Sequence, residues 1–288
     1  MIKERIAKQC ICCDGVDLRK SPAVLMPFVA KRVFDHEPVM IAPEWGLRDL
    51  KPGMAYSLCN SLQCISCGVV FLDLRFSDTE MTSLYAGYRE EEYTNLREFY
   101  EPGYKGINEF YSGRAAYIDT IEEFLLQWVP SPHGILDWGG DTGINTPLIK
   151  QAHLAHIYDI SNKPVISGVE AVDLATIKRN KYDMIICSQM LEHVPYPKDV
   201  LDDIISVMDA DTLLYLEVPY EELILSQPSS RELYKEKHHW HEHINFFSME
   251  SLVVLIEQAG LRLLEMKPIK IDLGWRNACV ISVLCRLA

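Results

Sequence analysis

Short apolar runs, most of them closed by a glycine, a proline or an acidic residue, recur through the second half of the chain. Ile135-Leu136 runs into Asp137 and a glycine turn, Ala155 to Tyr158 ends at Asp159, and Gly168 to Val172 ends at Asp173. Met184 to Cys187 and Thr212 to Val218 follow, the latter closed by Pro219. Such runs between turn signals read as strands buried on both faces of a parallel sheet. Helices are predicted between them: Asn145 to Ala152 after the glycine turn, Lys198 to Met208, and a helix capped by Ser248 that runs to Gln258 and stops at Gly260. Leu261 to Pro268 and Ala278 to Leu287 read as a closing antiparallel hairpin. The alternation predicts an α/β, Rossmann-like sheet whose ligand lies beyond the carboxyl ends of its strands.

The first half has less periodicity. The stretch from Asp14 to Asn60 carries prolines at 22, 27, 38, 43 and 52 and reads as loops and short strands, with Val69 to Leu72 as a further strand. Ser77 with Glu80 three residues on marks a helix start. Tyrosines at 85, 88, 93, 100, 104, 111 and 117, with Gly103 and Gly106, suggest a segment laid over another domain, either packing between domains or forming part of a lid. Ile118 to Val129 has the spacing of an amphipathic helix, ended by Pro130-Ser131-Pro132. Three regions are expected: 1–76, 77–133 and 134–288.

Charge and cysteine content narrow the function classes. Over 288 residues the net charge is −13, which argues against a binder of nucleic-acid backbones. No apolar run reaches the roughly 18 residues of a membrane span, and the polar start MIKERIAKQC is no signal peptide. Nine cysteines in that context favour a reducing cytoplasm, where thiols stay free or bind metal. The partner expected is a small molecule.

Cys10-x-x-Cys13 and Cys64-x-x-Cys67 are matched knuckles, able to surround one Zn²⁺ tetrahedrally in a closed structural site. Cys12 and Cys59 are spare, and Cys12 could compete with Cys10 or Cys13. The turn after Asp137 holds Gly139, Gly140 and Gly143 with Asp141 among them. A dinucleotide fold would want G-x-G-x-x-G there; this spacing instead looks like the D-x-G-x-G-x-G motif of class I S-adenosylmethionine (SAM) methyltransferases, with Asp141 at the middle glycine. Asp159, at the end of the second strand, is placed to accept hydrogen bonds from ribose hydroxyls. Asp173 is either a cap or an adenine contact. The run HHWHEHINFF, residues 238–247, holds four of the nine histidines within six positions. It lacks the helix-borne H-E-x-x-H of zinc proteases and offers candidate bases; a second metal there is conceivable.

The order of zinc knuckles, C-x-x-C-G-V-V-F-L-D, tyrosine-rich segment, glycine turn, Ser188-x-x-Leu191-Glu192-His193-Val194 and H-E-H-x-x-F-F-S resembles zinc-ribbon class I SAM methyltransferases of polysaccharide and antibiotic-sugar pathways, sugar C-methyltransferases most closely. The resemblance implies SAM held by Asp137, Gly139, Gly140, Asp141, Gly143, Asp159, Asp173 and Ser188, and a small N-terminal zinc ribbon beside the methyltransferase sheet. It implies a ketosugar, free or nucleotide-linked, surrounded by Glu242, His243 and His193, with Trp240 where those enzymes have a tyrosine. Carbon or oxygen methylation follows, with His243 as base and Glu242 orienting it or serving instead. His241 is expected to point away from His243. The competing expectation is a catalytically degenerate sheet that binds a protein through its ribbon.

Overall fold

The apolar runs of the second half pair into a seven-stranded sheet in the computed structural model, which describes residues 4–45, 53–110, 113–161, 163–273 and 276–288. Pro52, Tyr111 and the first three residues of the N-terminal stretch lie outside the described residues. In chain order come β1 (Leu18–Leu25), α1 (Pro27–Phe34), β2 (Val39–Ile41), β3 (Gly53–Ala55), β4 (Ser57–Cys64) and β5 (Val70–Leu72). Four helices follow: α2 (Asp78–Tyr85), α3 (Glu91–Tyr100), α4 (Tyr104–Phe110) and α5 (Ile118–Leu125). The remainder is β6 (Gly134–Trp138), β7 (Leu154–Tyr158), β8 (Glu170–Ala171), α6 (Leu174–Ile177), β9 (Met184–Ser188), α7 (Pro197–Ile205), β10 (Leu213–Pro219) and α8 (Glu222–Ser226). The chain closes with β11 (His239–Trp240), β12 (Asn245–Phe246), α9 (Met249–Gln258), β13 (Leu261–Asp272) and β14 (Asn277–Leu287).

The large sheet has the order β8-β7-β6-β9-β10-β14-β13. Its first five strands are parallel, and β14 runs antiparallel between β10 and β13. The order reverses between β6 and β9, where the carboxyl ends of strands splay and a ligand crevice opens. Alternate residues feed two cores: Leu136, Ile185 and Leu216 on one face, Ile135, Ile186 and Tyr215 on the other. On the second face lies α5, with Ile118, Ile121, Phe124 and Leu125 buried, the stripe its spacing predicts. Ser77 and Glu80 form the expected capping box at α2, and Ser248 caps α9.

One predicted helix does not form. Residues 141–151 follow the glycine turn as a series of turns. Pro147 disfavours helical geometry at Thr146 and supplies no donor. Leu148 takes a left-handed φ of 60° and gives its N–H to Glu122 Oε1 at 2.7 Å.

A second sheet, β11-β1-β4-β5-β12, decides the shape of the site. Its centre is the eight-residue antiparallel pairing of β1 with β4. Both edge strands come from the histidine run: β11 pairs parallel with β1, and β12 antiparallel with β5. Trp240 is therefore fully buried in this sheet, its Nε1 donating to Ser61 Oγ at 2.8 Å and its ring against Phe246. It is not beside the cavity, contrary to the position the resemblance implied. The connection Glu242–Ile244 is pinned at both ends by these strands. Ile244 and Asn245 both donate backbone N–H groups to Glu192 O, and Asn245 Nδ2 donates to Leu191 O and Val194 O. The buried Arg75 guanidinium donates to Leu72 O, Leu74 O, Pro195 O and Asn245 Oδ1, which locks the segment after β9 to the second sheet.

Candidate functional site

A cavity of about 1300 Å³ opens at the switch point. The glycine turn forms its floor, the segments after β9 and β10 one side, and Glu242 and His243 another; Tyr88, Arg97 and Tyr104 of the helical segment stand across from them. The tyrosine-rich stretch thus contributes a wall over the crevice.

The turn is built to admit a ligand. Gly139 and Gly143 adopt φ of 88° and 81°, where side chains are strained. Gly140 has an ordinary φ but no room: a Cβ there would lie 2.6 Å from Asp137 Cγ. Asp137 is buried, accepts from Thr146 Oγ1 at 2.5 Å, and is pushed up to about 7 by burial, with Thr146 opposing and Asp159 and Glu217 adding to the rise. Asp141 takes the left-handed conformation that Asp tolerates, φ 50°. Its N–H donates to Asp159 Oδ2 at 2.9 Å and its carboxylate meets Lys163 Nζ at 2.9 Å. Asp159 Oδ1 accepts from Ser161 N at 2.7 Å, so the carboxylate is held rigidly with lone pairs remaining on both oxygens. A smaller adjoining cavity of about 230 Å³ is lined by Asp141, Ile157, Asp159, Lys163, Val172 and Asp173. Asp173 both borders it and caps α6 through Thr176 N at 2.7 Å. The third strand is only two residues long, and Asp173 follows it in the expected place. This acceptor-rich cleft beside a glycine floor has the chemistry to hold a nucleoside with an attached cationic side chain. Ser188 also lines the main cavity, with its hydroxyl given to the buried Glu217 at 2.9 Å; Gln189 Nε2 and Tyr215 OH donate to the same carboxylate.

The opposite wall carries the histidines. His193 and His243 pack edge to face with centroids 4.7 Å apart. His243 Nδ1 meets Glu221 Oε1 at 2.7 Å; burial pulls the imidazole down, but the Glu221 hydrogen bond and charge outweigh it and raise it to about 9. His193 Nδ1 lies 2.9 Å from Tyr85 OH and 3.1 Å from Glu242 O, and burial, with His243 beside it, holds it well below the ordinary range. Behind them Glu192 is buried, both carboxylate oxygens without a hydrogen-bond partner, and burial pushes it up to about 8.

Two expectations are corrected here. The carboxylate that orients His243 is Glu221, not Glu242: Glu242 Oε2 pairs with Arg97 Nη1 at 2.6 Å, and Arg97 also holds Glu101 and stacks on Tyr104. His241 lines the same cavity as His243, its Nδ1 3.1 Å from Glu101 Oε1, because residues two apart in an extended segment share a face. The sequence pattern assigns no role to Glu192 or Glu221. The signals were present: Glu192 sits inside L-E-H-V, and Glu221 lies two residues past the proline that closes the fifth strand.

The four predicted thiols converge at the other end of the second sheet. Cys10 Sγ lies 3.5 Å from Cys67 Sγ, Cys13 Sγ 3.5 Å from Cys64 Sγ, and all four sulfurs fall within 4.8 Å of one another. Thiolates about 2.3 Å from one Zn²⁺ at tetrahedral corners lie about 3.8 Å apart, so the donor set and spacing fit zinc. Cys12 is buried with its backbone N–H on Cys10 Sγ and its thiol outside the four; Cys59 stands on β4.

Residues 109–266, more than half of the chain, match the family described as methyltransferase domain. The C-methyltransferase NovU of Streptomyces niveus is 24% identical over 147 residues, covering 46% of this chain and 33% of that protein, so the chain spans about a third of the length of the curated relative it matches. Among solved structures, the 1,6-didemethyltoxoflavin-N1-methyltransferase of Burkholderia thailandensis superposes with a TM-score of 0.49 at 13% identity, covering 78% of this chain and 98% of that one. The magnesium protoporphyrin IX methyltransferase of Synechocystis PCC 6803, with bound SAM, gives 0.45 at 15% identity, covering 72% and 97%. No helix among the described residues is long and apolar enough to cross a membrane.

Proposed function

The chain belongs to the methyltransferase-domain family, and on that premise we propose that it transfers the methyl group of SAM to a small sugar, nucleotide-linked and carrying a keto group, at carbon or oxygen. Asp137, Gly139, Gly140, Asp141, Gly143, Asp159, Asp173 and Ser188 hold the cofactor in this reading. Bound SAM supplies a methyl group already activated by its sulfonium, and the protein aligns the acceptor for in-line attack and removes the acceptor's proton. Asp159 takes the ribose hydroxyls. The ionised form of Asp137 favours the cationic end of the cofactor.

The observation that carries the acceptor assignment is the wall of His193 and His243, with Glu192 buried behind them, facing the glycine turn across one cavity. The acceptor loses its proton at this wall. Glu221 fixes the His243 ring, and the Arg97–Glu242 pair fixes the backbone that carries it. Zinc on Cys10, Cys13, Cys64 and Cys67 stabilises the second sheet, from whose strands the histidine connection hangs. Residues 1–76 serve as the ribbon, 77–133 as the wall over the ligand, and 134–288 as the catalytic domain. The free thiols suit a reducing cytoplasm.

Mass spectrometry of nucleotide-linked ketosugars incubated with SAM tests the substrate class. A gain of one methyl group on a ketosugar supports it. Transfer confined to acceptors without a sugar would replace it.

A further inference from the structure

In the acceptor wall, His193 and His243 stand in front of a buried carboxylate, Glu192, whose oxygens have no hydrogen-bond partner. We infer that Glu192, His193 and His243 form a divalent transition-metal site, distinct from the four-cysteine cluster and opening on the acceptor cavity. This rests on the acceptor reading of the cavity and specifies what the wall holds.

One ligand atom from each residue lies within 4.8 Å of the others, and Glu192 Oε1 is 3.6 Å from His193 Nε2. Donors about 2.1 Å from one ion at tetrahedral angles stand about 3.4 Å apart, so small side-chain movements close the set. Two independent observations point to an ion. First, Glu192 is 1% exposed and neither carboxylate oxygen has a hydrogen-bond partner, a costly arrangement for a polar group inside a protein. Second, each imidazole is held from its far side. His193 Nδ1 lies 2.9 Å from Tyr85 OH and 3.1 Å from the Glu242 carbonyl; in the tautomer that donates to the carbonyl, Nε2 keeps its lone pair for a ligand. His243 Nδ1 is on the Glu221 carboxylate, which likewise leaves Nε2 as the ligand atom. A carboxylate or carbonyl behind each histidine is the outer shell that orients imidazoles towards a metal.

Two imidazoles and one carboxylate suit Zn²⁺, Fe²⁺, Mn²⁺ or Co²⁺ better than Ca²⁺ or Mg²⁺. His193 and His243 border the cavity whereas Glu192 lies behind them, so the open coordination positions face the acceptor. An acceptor oxygen bound there would be acidified by the ion, which would ease the loss of its proton at this wall.

The test is a titration of the full-length protein, with its zinc as purified, against MnCl₂, following the paramagnetic resonance signal of free Mn²⁺. One Mn²⁺ per chain should be taken up. Glu192→Gln and His243→Ala should each weaken uptake at least tenfold, and Glu221→Gln about 10- to 100-fold. Unchanged SAM affinity in Glu192→Gln shows that the variant is folded. An undiminished free-Mn²⁺ signal at millimolar metal, or uptake that persists in both ligand variants, overturns the site. If no Mn²⁺ binds while His243→Ala still loses turnover, the cation is refuted and the acceptor wall stands.

Discussion

Gly140 gives the sharpest test of the cofactor floor, because its need for glycine is steric and not conformational. In Gly140→Ala the new Cβ would sit 2.6 Å from both Asp137 Cγ and Oδ2, and 2.9 Å from Asp137 Cβ. Asp137 is short, buried and tied to Thr146, so it cannot swing aside as a long side chain would. Either the turn or the carboxylate must move. Overpacking of this kind costs about 1–3 kcal/mol of stability, a fall in Tm of about 2–4 °C per kcal/mol. Displacing Asp137 also removes a charged contact worth about 1.5–3 kcal/mol to the cofactor, roughly 10- to 150-fold in Kd. Gly139→Ala is the control: its Cβ would meet the flexible Met190 Sδ at 3.0 Å, but its φ of 88° adds strain. It should lower Tm while affecting SAM affinity less. Differential scanning calorimetry and isothermal titration calorimetry measure both quantities. Wild-type SAM affinity and an unchanged Tm in Gly140→Ala would refute the steric argument.

Other perturbations follow from the same geometry. Metal analysis should find one zinc per chain; Cys64→Ser should lose it and destabilise the second sheet, whereas Cys12→Ser should retain it. In the cofactor-free protein Asp137 is raised to about 7 from 3.8, so the folded state holds a proton that the unfolded state has released; its contribution to stability is full below pH 4 and is lost as pH rises through 7. Thermal melts should therefore show Asp137→Asn gaining on the wild type between pH 4 and 7, while SAM affinity of the wild type rises over the same interval. His243→Ala should cut turnover by about 10²–10⁴-fold with SAM affinity nearly unchanged, read by steady-state kinetics and calorimetry.

The large sheet was legible because each parallel strand is a closed apolar run and each ends at a residue with chemistry to perform, Asp137, Asp159 or Ser188. The knuckles were legible because four thiols at matched spacing have few other uses. Local pattern failed where long-range pairing decides. Nothing in HHWHEHINFF announces that Trp240 pairs with Leu25 and Phe246 with Val70, yet those pairings bury the tryptophan and carry His243 to His193. Glu221 was passed over because its partner is 22 residues away in sequence and reached through a turn. The helix predicted over 145–152 gave way to a proline, a left-handed leucine and the grip of Glu122; the proline is visible locally, whereas Glu122 reaches Leu148 from 26 residues away.

Titration of SAM into the wild type and Asp159→Ala by isothermal calorimetry tests the cofactor assignment most directly. Asp159 is rigidly held by two backbone N–H groups and borders the smaller cavity. The wild type should bind one SAM per chain with a micromolar Kd, and Asp159→Ala about 10- to 150-fold more weakly, the loss of a charge-assisted hydrogen bond of about 1.5–3 kcal/mol. Absence of binding by the folded wild type, or equal affinity in Asp159→Ala, would contradict the placement of the cofactor on which the account depends.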